Sequence, residues 1–512
     1  MPRQIPDACK SRVFARISEI VLLLMLASSC GTEDPSTPRD GSTDIVSDAA
    51  AGDGEPSDTG IDVQDVPRPD APFPELSFAR DYFPGTTDPN GNLLGGVEVN
   101  YLAAFEQRLY ATVSTWKQEG WNTGMTTGPQ VLVKPRSDAP WQLEYSFGPF
   151  HARAEHLRSV TFTTDANGTR LDPPARVLLA SATGASREIS VYARREAGVW
   201  EQSLIRGAET VWDSEIRTII DHIDAVTGVH HLFIAANEGT IYRGAYDPTP
   251  PGRVVWSDVP ELDHRTEMPD GQRMPAAAVL GGILYWSLEM DPSVPGRGGL
   301  YRRVDGPAPR WEHVYEWSHA AEAEEARIGH KLDRQIRGLT AGRSPQASSP
   351  NVLLAGRGFT GEVLAIDPRT RTAEVELDVT RYFSEAFGMD AVVRQIAAND
   401  FVTVQNPTDS RAVQLVGLWL SHPAGIGTPL GNSGWYLVRY PDGTYSHGRV
   451  WDPAEPVPNE DVAGGLRTVR SIVASPFPDE AGRAFYVGGF DSGLSTMNEA
   501  FGYTAWIYRA SW

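Results

Sequence analysis

Short β-type segments separated by turn residues run through most of this chain. One four-residue pattern recurs in them: an aliphatic residue, an arginine, a small or polar residue, and a second aliphatic residue. It occurs as Leu157-Arg158-Ser159-Val160, Ile216-Arg217-Thr218-Ile219, Ile336-Arg337-Gly338-Leu339, Val393-Arg394-Gln395-Ile396 and Val469-Arg470-Ser471-Ile472. The arginines lie 59, 120, 57 and 76 residues apart, which predicts equivalent strands in a repeat of about 60 residues with one copy hidden in the longest gap.

Each repeat is predicted to hold four strands. In the last copy, apolar runs at 468–474, 484–488 and 504–509 are separated by turn residues, and the chain then ends before a fourth strand. Residues 75–83 are similar to residues 376–383, which stand where an earlier repeat should have its fourth strand. We therefore expect residues 75–83 to complete the last repeat and so remove a free sheet edge.

Further recurrences support the repeat. Its copies are expected to begin near residues 97, 156, 215, 274, 335, 392 and 468. Tryptophans stand where several fourth strands should begin, at Trp141, Trp200, Trp256 and Trp311. The pattern resembles a β-propeller in general, without the signatures of WD40 or kelch repeats. The predicted fold is all-β: a seven-bladed β-propeller over residues 75–512, closed by an N-terminal strand.

The N-terminus has the anatomy of an export signal. Basic residues precede the apolar run Ile20 to Ala27, which is too short to span a bilayer. The following Ala27-Ser28-Ser29-Cys30-Gly31 resembles a bacterial lipoprotein signal. The resemblance implies removal of residues 1–29, lipidation of Cys30, a membrane as partner, and a place in the cell envelope, on the outer membrane or cell surface. An uncleaved anchor and a plain secretory signal are the alternatives.

Residues 30–74 are rich in Asp, Gly, Ser and Pro, which predicts a disordered acidic tether. The formal charge of −21 disfavours nucleic acid as a partner, because such binding needs a basic surface. Cys9 and Cys30 are the two cysteines of the sequence, so cleavage before Cys30 would leave no disulfide and no thiol for catalysis or metal binding.

One face of the predicted propeller is elaborated. Loops between blades share a face, here called the top, with loops between second and third strands. The long loops are predicted at 116–128, 206–214, 261–273, 287–299, 318–334, 420–434, 451–465 and 489–503. Long loops on a rigid scaffold indicate a binding face, although surface insertions also accumulate by drift because they cost little stability.

Two sets of residues are candidates for a ligand site at the top. The first set is the recurrent arginines Arg158, Arg217, Arg337, Arg394 and Arg470. They could form a cationic collar for an anionic ligand, or pack between blades against nearby acids; Asp213, Asp333 and Asp390 each lie four residues before an arginine, and Glu155 lies three before Arg158. The second set is the loop aromatics Trp116, Trp121, Trp419, Phe490, Phe501 and Tyr503, which suit stacking on a sugar or peptide, or plugging the channel.

The sequence contains no familiar catalytic, metal or cofactor motif at useful spacing, so no cofactor, metal ligand or catalytic residue is predicted. We therefore expect a binding protein for a glycan, peptide or partner protein, rather than an enzyme. A propeller hydrolase or lyase acting on an extracellular polymer or ester is one alternative, and a structural envelope component is another.

Overall fold

The computed structural model describes residues 72–512 except 116–127, 185–187, 208–214, 250, 266–272, 290–297, 317–335, 346, 348, 350, 359–360, 389–393, 422–433, 453, 455–467 and 492–503. The predicted signal, Cys30 and nearly all of the predicted tether lie outside these residues, as do most of the predicted long loops.

The strands form small antiparallel sheets that follow one another along the chain. Three short segments come first: β1 (Ser77–Tyr82), β2 (Thr86–Thr87) and β3 (Leu93–Leu94). The next units are β4 (Glu98–Phe105), β5 (Arg108–Ser114), β6 (Gln130–Lys134) and β7 (Gln142–Ser146); then β8 (His151–Thr164), β9 (Arg170–Gly184), β10 (Ile189–Glu196) and β11 (Val199–Arg206). A third contains β12 (Ile216–Ile223), β13 (His230–Ala236), β14 (Thr240–Tyr246), β15 (Val254–Trp256) and β16 (Leu262–Asp263).

The second half of the chain continues in the same way. Its units are β17 (Ala277–Leu280), β18 (Ile283–Leu288), β19 (Gly299–Val304) and β20 (Arg310–Glu316); β21 (Ile336–Gly342), β22 (Val352–Arg357), β23 (Glu362–Asp367) and β24 (Thr372–Asp378); β25 (Arg394–Gln405), β26 (Ala412–Ser421), β27 (Gly434–Arg439) and β28 (Tyr445–Val450); and β29 (Thr468–Ala474), β30 (Ala484–Phe490) and β31 (Ala505–Ser511). The all-β prediction is confirmed, and the four-stranded sheets are consistent with propeller blades.

The N-terminal strand β1 pairs antiparallel with β31, with Phe78 opposite Ala510. It therefore lies as a fourth strand beside β29, β30 and β31. These strands and the preceding unit are joined in one eight-stranded sheet through the pair Trp419 and Thr468.

One expectation about the fourth strands is wrong. The segment 376–383 is not a continuous strand, because β24 ends at Asp378 and the helix α1 (Val379–Phe387) follows. The Asp378 carboxylate caps this helix by accepting a hydrogen bond from the backbone N–H of Arg381, at 2.9 Å. Val379 and Phe383, four residues apart, are the buried residues on one face of this helix. The sequence pattern did not distinguish this spacing from that of a strand.

The apolar core is divided into clusters that lie between consecutive units. Alternate residues of a strand point to opposite faces, so each sheet offers one apolar face to each neighbour. Val160 and Phe162 of β8, for example, pack with Ile216 and Ile219 of β12. A further cluster joins the last unit to β4–β7 and includes Tyr486 together with Leu109 and Leu132. Over the described part of the chain, no helix combines the length and apolar character needed to cross a membrane.

Candidate functional site

The recurrent arginine pattern marks a β-bulge in the first strand of a unit. Strand pairing shifts register between Ile216 and Thr218, so that Arg217 is the additional residue. The same shift places Arg337 at a bulge in β21 and Arg470 at a bulge in β29. A bulge removes one residue from the ladder and redirects its side chain, which is why a long polar residue is accommodated directly after a buried aliphatic residue.

The other two copies of the pattern are out of register with these three. In β8 the shift falls between Ala154 and Leu157, so the bulge contains Glu155 and His156, and Arg158 lies in the regular ladder opposite Leu179. β25 has two shifts: one falls between Arg394 and Ala397, and the other falls between Ala398 and Asp400 and leaves Asn399 as the additional residue. Arg394 begins that strand, and its side chain lies outside the described part. The spacing led us to expect five equivalent arginines, and this expectation is wrong for Arg158 and Arg394.

The strand β4 has a similar bulge, because Asn100 stands between Val99 and Tyr101. We call the following residues at these bulges the bulge set: Asn100, Glu155, Arg217, Arg337, Asn399 and Arg470. The arginine pattern did not identify Asn100 and Asn399, and it pointed to Glu155 only as a partner for Arg158. The shared sequence signal is weak: each is a polar residue that directly follows a small or aliphatic residue in a first strand, whatever its charge.

Glu155 is the centre of a buried ion-pair cluster at the bulges. Its carboxylate lies 2.9 Å from Arg153 Nη1 and 3.2 Å from Arg217 Nη1, and its side chain is 2% exposed. Glu215 adds a second carboxylate, 3.2 Å from Arg153 Nε and in contact with Arg217. Burial opposes ionisation of Glu155, but the two guanidinium groups outweigh it and lower the pKa of this carboxyl.

Arg470 and Arg158 also pair across neighbouring first strands. Arg470 Nε lies 2.9 Å from Glu98 of β4. Arg158 donates from Nη2 to Asp221 of β12 at 2.7 Å, and Asp221 also receives His230 Nε2 at 3.2 Å. The expected local pair of Glu155 with Arg158 is wrong, because each takes a partner from the neighbouring unit. Asp213, Asp333 and Asp390 lie outside the described residues.

A cavity of about 180 Å³ lies among the first strands, and we call it the first-strand cavity. Its wall consists of Tyr101, His156, Arg158, Thr218, Ile219, Ile220, Pro275, Ala276, Ala277, Arg337, Gly338, Leu339, Asn399, Asp400 and Phe401. Bulge residues and the residues that follow them contribute most of its polar groups. The cavity therefore lies beside the bulges, because the bulges direct polar side chains into space that packed apolar side chains would fill between regular strands.

Two polar atoms on this wall are buried and have no hydrogen-bond partner among the described residues: His156 Nδ1 and Asn399 Oδ1. The His156 ring is 6% exposed and lies against Tyr101, with ring centroids 4.0 Å apart. Burial, with the nearby Arg158 charge, lowers the pKa of His156 to about 3, so its imidazole is neutral near pH 7. Asn399 is held by its amide nitrogen, which donates to the carbonyl oxygen of Val469 at 2.8 Å.

Asp400 supplies a carboxylate to the same wall. Its Oδ2 accepts a hydrogen bond from the backbone N–H of Ile472 at 2.8 Å. Burial raises the pKa of this carboxyl to about 6, against the opposing effect of its hydrogen bonds and of Arg470. Tyr101 faces the same region, and burial raises its pKa to about 12, so the phenol keeps its proton.

One of the predicted aromatic candidates contacts one of the arginines. The guanidinium carbon of Arg337 lies 5.2 Å from the centroid of the Trp419 ring, a cation–π distance. Trp419 in turn contacts Phe490 edge to face, with centroids 6.0 Å apart. Trp116, Trp121, Phe501 and Tyr503 lie outside the described residues, so their predicted role stays a prediction. Within the described ranges, no group of His, Cys, Asp and Glu has a metal-binding arrangement.

Comparison with known proteins adds no assignment. No protein-family model matches the chain, and no curated protein matches it significantly. One solved structure that it resembles is the extracellular domain of a candidate one-component system from B. thetaiotaomicron, at 11% sequence identity and a TM-score of 0.42. The match covers 84% of this chain and 39% of that one, so the chain spans about two fifths of that protein's length. The function is therefore argued from the residues of the site.

Proposed function

We propose that the described body is a seven-bladed β-propeller closed by β1. Three observations support this arrangement. The first strands β4, β8, β12, β17, β21, β25 and β29 contact one another in succession, and β29 also contacts β4. The strand β1 pairs with β31, and its Asp81 hydrogen-bonds to Lys134 and Trp141 of the unit β4–β7. Closure of this kind leaves fewer strand edges exposed to other chains.

We also propose that the body is held at the cell envelope. In this proposal residues 1–29 are an export signal, Cys30 carries the lipid, and residues 30–74 form the tether. The support is the signal anatomy around Ala27-Ser28-Ser29-Cys30 and the acidic, aromatic-poor composition that follows it.

The function that the geometry supports best is non-enzymatic ligand binding at the first-strand cavity. The carrying observation is the pair of buried polar atoms, His156 Nδ1 and Asn399 Oδ1, that lack partners among the described residues. Buried polar groups in folded proteins are almost always hydrogen-bonded, because leaving one unpaired costs about 1–3 kcal/mol. Two such atoms on one cavity wall support a binding site in which the ligand supplies their missing hydrogen bonds. Four residues of the bulge set, Asn100, Arg217, Arg337 and Arg470, lie within the first three positions of their strands, so a glycan, peptide or partner protein would approach from the predicted top face.

The hydrolase alternative has one relevant observation. His230 Nε2 lies 3.2 Å from Asp221, which is a histidine–carboxylate pair. Its other nitrogen, Nδ1, already accepts the backbone N–H of Thr163 at 3.2 Å. A general base needs a nitrogen directed at its substrate, so this pair fits a structural link between β8 and β13 better than catalysis. No specific observation favours the structural envelope component.

A thermal-shift screen of the purified full-length protein against glycans and peptides tests the binding proposal. A saturating ligand should raise the melting temperature, since a ligand at about 100 times its Kd adds about 2.7 kcal/mol of stability. His156→Phe keeps a ring against Tyr101 and removes Nδ1, so it should reduce the shift to about half, because a tenfold weaker ligand at the same concentration adds about 1.4 kcal/mol. His231→Phe is the matched control, because its ring lies beside Phe233 outside the cavity wall. Equal shifts in all three proteins would show that the cavity is not the site.

A further inference from the structure

We propose that the first-strand cavity takes an uncharged, polyhydroxylated ligand of about monosaccharide size. This inference rests on the proposed function, in which the cavity is the binding site. It follows from three properties of the wall: its balance of charges, its mixture of hydrogen-bond donors and acceptors, and its size.

Charges of both signs line the cavity. Arg158 and Arg337 stand on β8 and β21, and Asp400 stands on β25. Arg158 is compensated by Asp221, at 2.7 Å, and the Arg337 guanidinium lies over the Trp419 ring. An anionic ligand would meet the Asp400 carboxylate, and a cationic ligand would meet the two guanidinium groups. A neutral ligand avoids the cost of burying a charge that the wall does not match.

Donors and acceptors are mixed around the same space. Asn399 Oδ1 and the Asp400 carboxylate accept hydrogen bonds, whereas guanidinium N–H groups and the Tyr101 phenol donate them. The neutral His156 ring can accept or donate at Nδ1, depending on its tautomer. A hydroxyl group both donates and accepts, so several hydroxyls on one ligand satisfy such a wall. A carboxylate ligand only accepts and an ammonium ligand only donates, and either would leave part of the wall unpaired.

The size and the apolar part of the wall fit a single sugar ring. The cavity volume is about 180 Å³. It is below the ~300 Å³ at which pockets for drug-sized ligands begin. The rings of Tyr101 and His156, 4.0 Å apart, and the side chains of Leu339 and Phe401 offer apolar surface for the C–H face of a pyranose.

Isothermal titration calorimetry on the full-length protein tests the ligand class. The probes are glucose, galactose, mannose and N-acetylglucosamine, with glucuronate and glucosamine as charged relatives of one ring. At least one neutral sugar should bind, and the charged probes should bind about tenfold more weakly, which is the effect of about 1.4 kcal/mol. Asn399→Leu and His156→Phe should each weaken the neutral sugar by about tenfold, and His231→Phe should leave it unchanged.

The outcomes separate this inference from the proposal beneath it. Tighter binding of glucuronate or glucosamine than of every neutral sugar would overturn the ligand class and leave cavity binding intact. The same holds if no sugar binds while a peptide or longer glycan gives a thermal shift that His156→Phe reduces. Ligand binding that neither cavity variant weakens would overturn both. Because Asn399 also donates to Val469, the melting temperature of Asn399→Leu is measured first, and His156→Phe carries the test if that variant unfolds.

Discussion

The carboxylate of Asp81 in β1 lies 2.9 Å from the ammonium group of Lys134 in β6, and both side chains are largely buried, 14% and 4% exposed. Asp81 also accepts a hydrogen bond from Trp141 Nε1 at 2.6 Å. Since β1 pairs with β31 on its other side, this pair connects the N-terminal strand to the first unit as well as to the last. The ion pair is thus placed where closure of the fold would depend on it.

Lys134→Met should lower the free energy of unfolding by about 3–5 kcal/mol, because it leaves the Asp81 charge buried without its cation. Urea unfolding followed by tryptophan fluorescence measures the effect. Adding Asp81→Asn should restore part of the loss, since the amide removes the charge and keeps an acceptor for Trp141. Arg136→Met is the control: its pair with Asp138 is 72% and 75% exposed and should contribute about 0–1 kcal/mol. If Lys134→Met and Arg136→Met have equally small effects, the Asp81–Lys134 ion pair does not stabilise the contact between β1 and the unit β4–β7.

Arg217 and Arg158 should differ sharply in their contribution to the free energy of unfolding, although they share a sequence pattern. Arg217 is 12% exposed and contacts both Glu155 and Glu215, so Arg217→Met should cost about 3–5 kcal/mol. Arg158 is 36% exposed against Asp221, so Arg158→Met should cost about 0–1 kcal/mol. Thermal and urea denaturation of the two variants give the comparison. Similar losses would mean that the bulge position does not set the role of the arginine.

This difference shows what the sequence could predict. The repeat and its strands were readable because aliphatic residues recur on both sides of each arginine, and those around Arg158, Arg217 and Arg470 are buried against neighbouring sheets. The register of the bulge was not readable in the same way. Leu157-Arg158-Ser159-Val160 satisfies the same apolar spacing as Ile216-Arg217-Thr218-Ile219, although the bulge lies a few residues earlier, at Glu155 and His156.

The candidate site was harder to predict than the fold. Its ion pairs join residues far apart along the chain, such as Glu155 with Arg217 and Glu98 with Arg470, so local spacing pointed to the wrong partners. His156, Asn399 and Asp400 become candidates only when pairing brings their strands to one cavity. The helix α1 was missed because a single cap, Asp378, changes the conformation of a segment whose apolar spacing also suits a strand.

Cys30→Ser should release the protein from the membrane fraction of an expressing bacterium and abolish incorporation of labelled fatty acid. The reason is that the proposed anchor is one lipidated residue followed by a polar tether. Cys9→Ser is the matched control and should change neither property, because residue 9 lies in the segment expected to be removed. Membrane association and labelling that persist in Cys30→Ser would contradict the lipoprotein assignment.

Stability should fall in acid partly through Glu155. Its folded pKa lies below the ordinary value of 4.5, so the folded state binds fewer protons than the unfolded state as the pH falls below that value. The stabilisation is therefore complete above about pH 4.5 and is lost progressively below it. Glu155→Gln should be less stable than the wild type at pH 7, and the difference should shrink between pH 4.5 and pH 2.5 in urea titrations. A difference that stays constant over this range would contradict the assigned pairing.

Asp400 should act in the opposite direction. Its folded pKa of about 6 lies above the ordinary value of 3.8, so between these values the folded state binds more protons and stability falls as the pH rises. Asp400→Asn keeps an oxygen to accept the Ile472 N–H and cannot ionise. It should match the wild type near pH 4 and exceed it by up to about 3 kcal/mol at pH 7, since one pKa unit corresponds to about 1.4 kcal/mol. Urea unfolding at pH 4, 5, 6 and 7 measures the difference, and Asp442→Asn at an exposed turn is the control.

If the cavity is a sugar site, Asp400→Asn should also weaken neutral-sugar binding at pH 7, because the ionised Asp400 carboxylate is a stronger hydrogen-bond acceptor than the amide. If Asp400→Asn gains stability and keeps its full affinity for the sugar, Asp400 lies on the cavity wall but does not take part in sugar recognition.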